Sequence, residues 1–164
     1  MRIPPTLDPD EMRRFLATFL YREQAFLVDE IRSIDPEDRR IEALMDADRP
    51  LPIAPHQRVG PGHPAHVSAA ELLMITGNLG CLHAWIYHGC RWDEGWSGFG
   101  NRIHRADFKR IARVDAPLEL ESRESRSRIG ERRIVLRYDF HFRQDGELVY
   151  VGDQTAMFVK DAAL

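Results

Sequence analysis

The hydrophobic and polar positions near the start of the chain repeat with a helical period. Apolar side chains recur three and four positions apart over residues 12–20, which is typical of a helix that buries one stripe. Just before them, Asp8 offers an N-cap, Pro9 suits the first helical position, and Glu11 supplies the carboxylate of a capping box. The pattern therefore predicts a helix over about residues 8–20.

Two short strands and a long loop come next. The runs Ala25–Ile31 and Arg40–Met45 are predicted as strands, and the turn residues Asp35–Asp38 between them favour a hairpin. Residues 48–66 contain five prolines, three histidines and two glycines, a composition that excludes regular structure. Structureless segments of this length are uncommon inside a compact domain and are usually functional or disordered.

The segment Val67–Tyr87 is apolar on almost every side of a helix. A helix of this kind is buried, and we predict that it crosses the domain. Gly77 and Gly80 each cost roughly 1 kcal/mol relative to Ala in a helix interior. We therefore expect the backbone at these glycines to approach a sheet or another subunit closely.

The C-terminal part of the chain has the pattern of β-structure. The predicted strands are Gly100–Ile111, Leu118–Arg128, Arg132–Arg143 and Leu148–Val159. In the third, apolar and polar residues alternate, as in a half-buried antiparallel strand, and the sequence Gln144-Asp145-Gly146 after it favours a hairpin turn. The order predicts an α+β fold over residues 1–164, with a four-stranded meander in a long curved antiparallel sheet wrapped around one central helix.

Length and composition agree with a single globular domain. The 164 residues are 43% hydrophobic and 30% charged, and 23 Lys and Arg against 26 Asp and Glu leave a net charge of −3. Because basic residues are not in excess, the composition does not indicate a nucleic-acid-binding protein.

The chain also lacks the sequence features of export and membrane insertion. The apolar stretch 67–86 contains Glu71, Asn78 and His83, which argues against a membrane span. Because the first residues form no apolar signal region, we expect a cytoplasmic protein. Cys81 and Cys90 are too few for a disulfide framework.

The residues entering and following the central helix resemble those of a known family. The segment Gly62–Glu71, followed by Asn78, looks like the loop-to-helix entry of hot-dog acyl-thioester enzymes. The segments Arg105–Arg110 and Val114–Leu118 resemble a strand pair of β-hydroxyacyl-carrier-protein dehydratases. The resemblance, which extends weakly from about residue 26 to 159, implies a hot-dog fold and an acyl-thioester substrate of coenzyme A or acyl carrier protein.

One departure separates the chain from the dehydratases. If Asn78 stands for their helical Gln, their catalytic Glu falls at Met74, which cannot transfer protons. The local match is closer to the FcoT-like long-chain acyl-thioester thioesterases, whose pattern His66, Glu71 and Asn78 follow. Some relatives of that group add an amine to an enoyl thioester instead, so the resemblance leaves the reaction open.

The start of the predicted central helix suits carbonyl chemistry independently of any family. The first N–H groups of a helix have no intrahelical partner and lie at the positive end of its dipole. The amides of Ser68, Ala69 and Ala70 are therefore candidates for an oxyanion hole. Asn78 lies seven residues after Glu71 and on the same helix face, so these two side chains are candidates for an acid/base site.

Two catalytic interpretations and a structural one follow. In a thioesterase, Glu71 is the general base on water, His66 polarises the carbonyl, and Asn78 orients the water or the thioester. In a dehydratase, His66 removes an α-proton and Glu71 protonates the leaving hydroxyl. In the structural alternative, Glu71 caps the helix and interacts favourably with the positive end of its dipole. His66 is then a loop residue, and Asn78 forms a hydrogen bond with a backbone group.

A basic cluster follows the central helix. Within it, Arg105, Lys109 and Arg110 are candidates to contact the phosphate of a pantetheine arm or an acidic carrier protein, and a solvated strand face is the alternative.

No cofactor or metal is expected. His63, His66 and Glu71 are only a minimal ligand set, and they lack the spacing of a zinc-binding helix.

Three functional hypotheses therefore stand. They are an acyl-thioester enzyme of the thioesterase type, a 3-hydroxyacyl thioester dehydratase or hydratase, and a non-catalytic acyl-binding module. Because hot-dog enzymes usually pair edge to edge, the resemblance implies a homodimer or a dimer of dimers.

Overall fold

The computed structural model describes residues 1–46 and 49–161. These residues form two α-helices, α1 (Pro9–Thr18) and α2 (Ala69–His88), and a set of strands joined by loops and short 3-10 turns. The strands are β1 (Glu30–Asp35), β2 (Arg40–Met45), β3 (His66–Val67), β4 (Trp96–Phe108), β5 (Ala112–Arg113), β6 (Leu118–Ile129), β7 (Arg133–Gln144) and β8 (Glu147–Lys160).

The loop predicted over residues 48–66 is confirmed where the structure describes it. Ala47 and Asp48 lie outside the described residues. From residue 49 onward the segment contains a single 3-10 turn at Ala54–His56 and ends where His66 begins β3. Long stretches without regular structure therefore lead into α2.

Helix α1 begins where the sequence predicts it. Asp8 is the N-cap, and its side chain accepts a hydrogen bond from the amide of Asp10 at 2.9 Å. The helix ends at Thr18, slightly before the predicted end. The Glu11 carboxylate does not complete a capping box, because it pairs with Arg91 at 2.9 Å instead.

The first predicted strand is partly wrong. Residues 23–25 form a 3-10 turn, and the ladder with β2 starts only at Glu30. The amide of Leu27 donates a hydrogen bond to the side chain of Asn78 at 2.7 Å. The backbone of this segment therefore hydrogen-bonds to α2 rather than to a neighbouring strand. The second predicted strand, Arg40–Met45, is confirmed and pairs antiparallel with β1.

The large sheet has six strands in the order β1-β2-β6-β7-β8-β4, all antiparallel. The predicted four-stranded meander is therefore wrong for β4, which pairs with β8 at the far edge. Strand β6 is already hydrogen-bonded on both sides, by β2 and β7, and has no free edge for β4. The short strands β3 and β5 form a separate pair.

The alternation predicted for the third C-terminal strand is confirmed in β7. Every second residue from Ile134 to Gln144 is buried, whereas the intervening side chains face the other side of the sheet. The turn after it contains Asp145 (φ 52°) and Gly146 (φ 78°), and two positive φ angles are what a type I′ hairpin turn requires. Together β6, β7 and β8 form the meander that covers the central helix.

Helix α2 lies against the concave face of this sheet, as the sequence predicts for a buried helix. Its side chains Ile75, Leu79 and Leu82 are fully buried, and the inner face of the sheet supplies aromatic residues. Helix α1 closes one end of the core, where the ring of Phe15 lies 5.3 Å from that of Trp85. Within the described residues, no helix is both long and apolar enough to cross a membrane.

Candidate functional site

The carboxylate of Glu71 is fully buried and accepts hydrogen bonds from three backbone amides. Its Oε1 accepts the amides of Ile53 at 2.8 Å and Ala54 at 2.9 Å, and its Oε2 accepts the amide of Ser68 at 2.7 Å. The Ser68 hydroxyl accepts the amide of Glu71 in return, which completes a capping box. Glu71 therefore fixes the 53–54 loop to the start of α2, and its role as a general base stays a prediction.

Asn78 also holds backbone groups of a distant segment. Its Oδ1 accepts the amide of Leu27 at 2.7 Å, and its Nδ2 donates to the carbonyl of Ala25 at 3.2 Å. The side chain is buried. This arrangement corresponds to the structural alternative for Asn78, since both polar atoms already have partners.

His66 lies in a groove at the N-terminal end of α2. Its Nδ1 lies 2.8 Å from the carbonyl of Pro64, and a carbonyl can only accept, so Nδ1 carries the proton. In the neutral ring this leaves Nε2 with a free lone pair. The His66 backbone is held on both sides by the Gln57 side chain, at 2.8 Å and 3.2 Å. His66 is thus an oriented imidazole with a basic nitrogen.

The groove has a volume of about 360 Å³ and an apolar floor with a basic rim. Its lining residues are His66, Val67, Ala69, Leu72, Phe108, Lys109, Arg110, Ile111 and Ala112.

Of the three predicted oxyanion-hole residues, Ala69 lines this groove, whereas Ser68 and Ala70 are not among its lining residues. The Ser68 amide is occupied by the Glu71 carboxylate. The exposed residues Ala69 and Ala70 present the next amides of α2, and these N–H groups donate to no acceptor among the described residues. The groove therefore joins an imidazole to a helix N-terminus.

The predicted basic residues do not all line this groove. Lys109 and Arg110 do, whereas Arg105 lies on β4 outside it. Asp107 binds both Arg105 (2.8 Å) and Lys109 (2.9 Å), and these hydrogen bonds lower the pKa of Asp107 to about 2. Arg110 pairs with Glu147 at 2.7 Å. Each of the three cations thus already has a carboxylate neighbour.

A second, more enclosed cavity lies between α2, the start of β4 and strands β7 and β8. Its volume is about 320 Å³. It is lined by Tyr21, Ala25, Leu73, Met74, Thr76, Gly77, Asn78, Gly80, Cys81, Gly98, Phe99, Gly100, Tyr138, Phe140, Gln154, Thr155, Ala156 and Phe158. None of these side chains carries a formal charge at neutral pH, and burial raises the pKa of the Cys81 thiol to about 12.

The structure divides the predicted catalytic residues among three places. His66 lines the groove, Asn78 lines the cavity, and Glu71 is buried and lines neither. Tyr21 and Gln154 also line the cavity, and the sequence did not single them out. Both come from segments far from α2 in the chain, so no local spacing could have indicated them.

A polar cluster at the C-terminal end of α2 lies apart from both spaces. His88 binds the buried carboxylate of Glu124 at 2.6 Å, and Arg39 binds the same carboxylate at 2.6 Å. His83 contacts the Ser122 hydroxyl at 2.9 Å, and burial lowers the pKa of His83 to about 3. Since His83 and Ser122 are both fully buried, this pair has no access to a substrate.

Comparisons with known proteins bear on the fold. No protein-family model matches the chain, and no curated protein matches it. A thioesterase from Haemophilus influenzae superimposes with a TM-score of 0.56 at 17% identity, over 91% of this chain and 90% of the other. A mutant thioesterase from Pseudomonas aeruginosa has a TM-score of 0.56 at 15% identity, over 94% and 97%.

A dehydratase heterocomplex from Xenorhabdus doucetiae is also similar, with a TM-score of 0.59 at 10% identity over 92% and 91% of the two chains. The superpositions establish the fold. At such low sequence identity they do not establish the reaction, which has to be argued from the residues of this chain. The predicted architecture is confirmed: the chain has the hot-dog fold, shared with thioesterases and a dehydratase.

Proposed function

We propose that this protein is an acyl-thioester-processing enzyme of the thioesterase type. The observation that carries the proposal is the uncharged cavity of about 320 Å³ on the flank of α2, which offers an acyl chain an apolar environment. The groove at the start of the same helix contains the imidazole of His66 and is lined by Ala69 of the first turn of α2. An apolar cavity and a polar groove on one helix suit the two ends of an acyl-pantetheine thioester.

The proposed hydrolysis uses His66 as the general base. Its Nε2 takes a proton from water, the resulting hydroxide attacks the thioester carbonyl, and the Ala69 and Ala70 amides hold the developing oxyanion. The tetrahedral intermediate then expels the thiolate, which takes the proton back from His66. Glu71 is a positioning residue here, because its hydrogen bonds fix the first turn of α2.

The carrier, the assembly and the location are finer parts of the same proposal. We propose coenzyme A or a carrier protein as the carrier, with Lys109 and Arg110 beside the pantetheine arm, and a cytoplasmic location. We also propose a homodimer through the β4 edge. Supporting this, Phe99, Ile103 and Phe108 of that edge strand are 38%, 53% and 47% exposed. Sedimentation of a monomer at working concentrations would contradict the dimer.

A non-catalytic acyl-binding module is the second candidate. One observation favours it: the polar atoms of Glu71 and Asn78 are already hydrogen-bonded within the chain. Dehydration has no comparable support, because the cavity wall presents Met74 at the position where the dehydratases that the sequence resembles carry their acid.

Thiol release from a panel of saturated acyl-CoA and acyl-pantetheine thioesters tests the proposal. We expect turnover by the wild type and a loss of roughly 100-fold or more for His66→Ala, the usual range for a general base. The matched control is His141→Ala, since His141 lies on the outer face of the sheet beside Glu121. Turnover by His66→Ala equal to that of the wild type would refute the role of His66 as general base. If the folded wild type hydrolyses no thioester, the protein is not a thioesterase, and the non-catalytic acyl-binding module becomes the favoured function.

A further inference from the structure

Four glycines line the cavity, and two of them, Gly80 and Gly98, lie against aromatic residues of the chain. A Cβ atom at Gly98 would lie 2.7 Å from the ring of Phe158, which is closer than real Cβ contacts come. A Cβ atom at Gly80 would lie 3.4 Å from the ring of Tyr138, at the near limit of ordinary contact. At these positions a side chain would meet the packed aromatic residues of β7 and β8.

Gly77 and Gly100 have no such explanation. A Cβ atom at either position would meet no atom of residues 1–46 and 49–161 within 4 Å, and neither backbone has a positive φ. Gly77 nevertheless lies inside α2, where glycine is unfavourable, and Gly100 lies in β4 beside a register shift of the β4–β8 ladder between Gly100 and Arg102. Both residues line the cavity. Their missing side chains therefore keep open a space that the described residues do not fill.

The remaining cavity wall indicates what kind of molecule suits that space. Its polar side chains are largely satisfied within the chain: the Thr76 hydroxyl lies 3.0 Å from Gln154 Oε1, and Gln154 Nε2 donates to the Tyr150 hydroxyl at 2.8 Å. The amide of Asn78 is likewise occupied by backbone groups. Because no charged side chain among the described residues lines the wall, a carboxylate or ammonium group in the cavity would lose contact with water without gaining a counter-charge.

We propose that Gly77 and Gly100 determine specificity: their missing side chains admit an uncharged, apolar acyl chain and limit the width of chain that the cavity accepts. The inference rests on the proposed function in that the chain is an acyl group. Substrates with a second carboxylate on the acyl chain are excluded by the uncharged wall.

Binding of a free fatty acid tests this inference without requiring turnover. The probe is cis-parinaric acid, whose fluorescence rises in an apolar site, and the proteins are the wild type, Gly77→Ala, Gly77→Leu and Gly100→Val. We expect the wild type to bind and the Leu and Val variants to lose roughly tenfold or more in affinity, with a smaller effect for Gly77→Ala. Gly60→Val is the control, since its Cβ also meets open space but lies outside the cavity.

Competition and assembly measurements complete the test. A saturated long-chain fatty acid should displace the probe at least about tenfold better than the dicarboxylic acid of equal length. Absence of probe binding to the wild type, wild-type affinity in both bulky variants, or equal competition by the dicarboxylic acid would each overturn the inference. So would a loss of affinity in Gly77→Leu or Gly100→Val accompanied by a changed sedimentation coefficient, which would assign that glycine to a subunit contact.

If Gly77→Leu does not fold, the probe affinities of Gly77→Ala and Gly100→Val decide the test, with the folding of each variant checked by circular dichroism. If the fatty acid binds as expected and no thioester is hydrolysed, the proposed enzymatic function fails while the chain-binding inference stands.

Discussion

Glu71 and Ser68 exchange hydrogen bonds at the start of α2, from the Ser68 amide to Glu71 Oε2 at 2.7 Å and from the Glu71 amide to the Ser68 hydroxyl at 3.2 Å. The other carboxylate oxygen holds the loop amides of Ile53 and Ala54. One buried side chain therefore organises both the first turn of the central helix and the loop that precedes the groove.

Replacing Glu71 by Ala should destabilise the fold strongly. Three backbone amides lose their acceptor, those of Ile53, Ala54 and Ser68, and the first and last are only partly buried. An unpaired buried donor costs about 1–3 kcal/mol. We expect Glu71→Ala to lower the free energy of unfolding by roughly 3 kcal/mol, and Glu71→Gln by less. Urea titration measures both, with the exposed residue Glu131→Ala as the control. A change within about 0.5 kcal/mol would contradict this role of Glu71.

Asn78 should be a stability residue as well. Asn78→Ala removes the acceptor of the Leu27 amide and the donor to the Ala25 carbonyl, so we expect a loss of about 1–3 kcal/mol. Asn78→Asp keeps the acceptor and should lose less at the Leu27 amide, although it introduces a buried charge. Amide hydrogen exchange provides the specific readout, since Leu27 should lose protection in Asn78→Ala and retain it in the wild type.

The cluster of Glu124, His88 and Arg39 should make the free energy of unfolding depend on pH in the acid range. Burial acts to raise the pKa of Glu124, but the hydrogen bond from His88 and the charges of His88 and Arg39 outweigh it, so the folded pKa lies below its ordinary value. A carboxyl whose folded pKa is depressed stabilises the protein above its unfolded pKa, and this contribution is lost as the pH falls through the folded pKa.

Urea unfolding at a series of pH values below about 5 measures this loss. Glu124→Gln should be less stable than the wild type at neutral pH, and the difference should shrink as the pH falls below the folded pKa. The control is Glu121→Gln, whose side chain is 41% exposed. A Glu124→Gln difference that stays constant down to acid pH would be evidence against the linkage.

The two thiols should resist alkylation in the folded protein. Burial raises the pKa of Cys81 and of Cys90 to about 12, so very little thiolate exists at a pH of about 8. We expect iodoacetamide to label neither cysteine in the native state and both in urea, as read by mass spectrometry. Cys81→Ser and Cys90→Ser assign the sites, and rapid native labelling of Cys81 would show that the cavity wall opens.

Gly77→Ala should stabilise the folded chain. The position lies inside α2, its Cβ would meet open space, and Ala is favoured over Gly in a helix by about 1 kcal/mol. We expect a comparable rise in the free energy of unfolding, measured by thermal or urea denaturation. A destabilised Gly77→Ala would mean that the space beside Gly77 is already occupied, for instance by a second subunit.

Local patterns in the sequence were enough to predict most elements of the fold. The N-cap at Asp8, the apolar run of α2, the alternation in β7 and the turn at Asp145 and Gly146 each depend on neighbours a few residues apart. Their conformation follows from short-range hydrogen bonding, sterics and the period of burial. For the same reason the Ser68–Glu71 pair could be foreseen as a capping alternative.

The tertiary structure alone decided how distant segments meet. Strand β4 lies at the far edge because β6 is paired on both sides, and no local pattern encodes that order. Glu71 and Asn78 share a helix face, yet each turns to a different loop whose amides need an acceptor. Long-range hydrogen bonds and packing select among partners that the sequence offers equally, and they also bring Gly77 and Gly100 to one cavity.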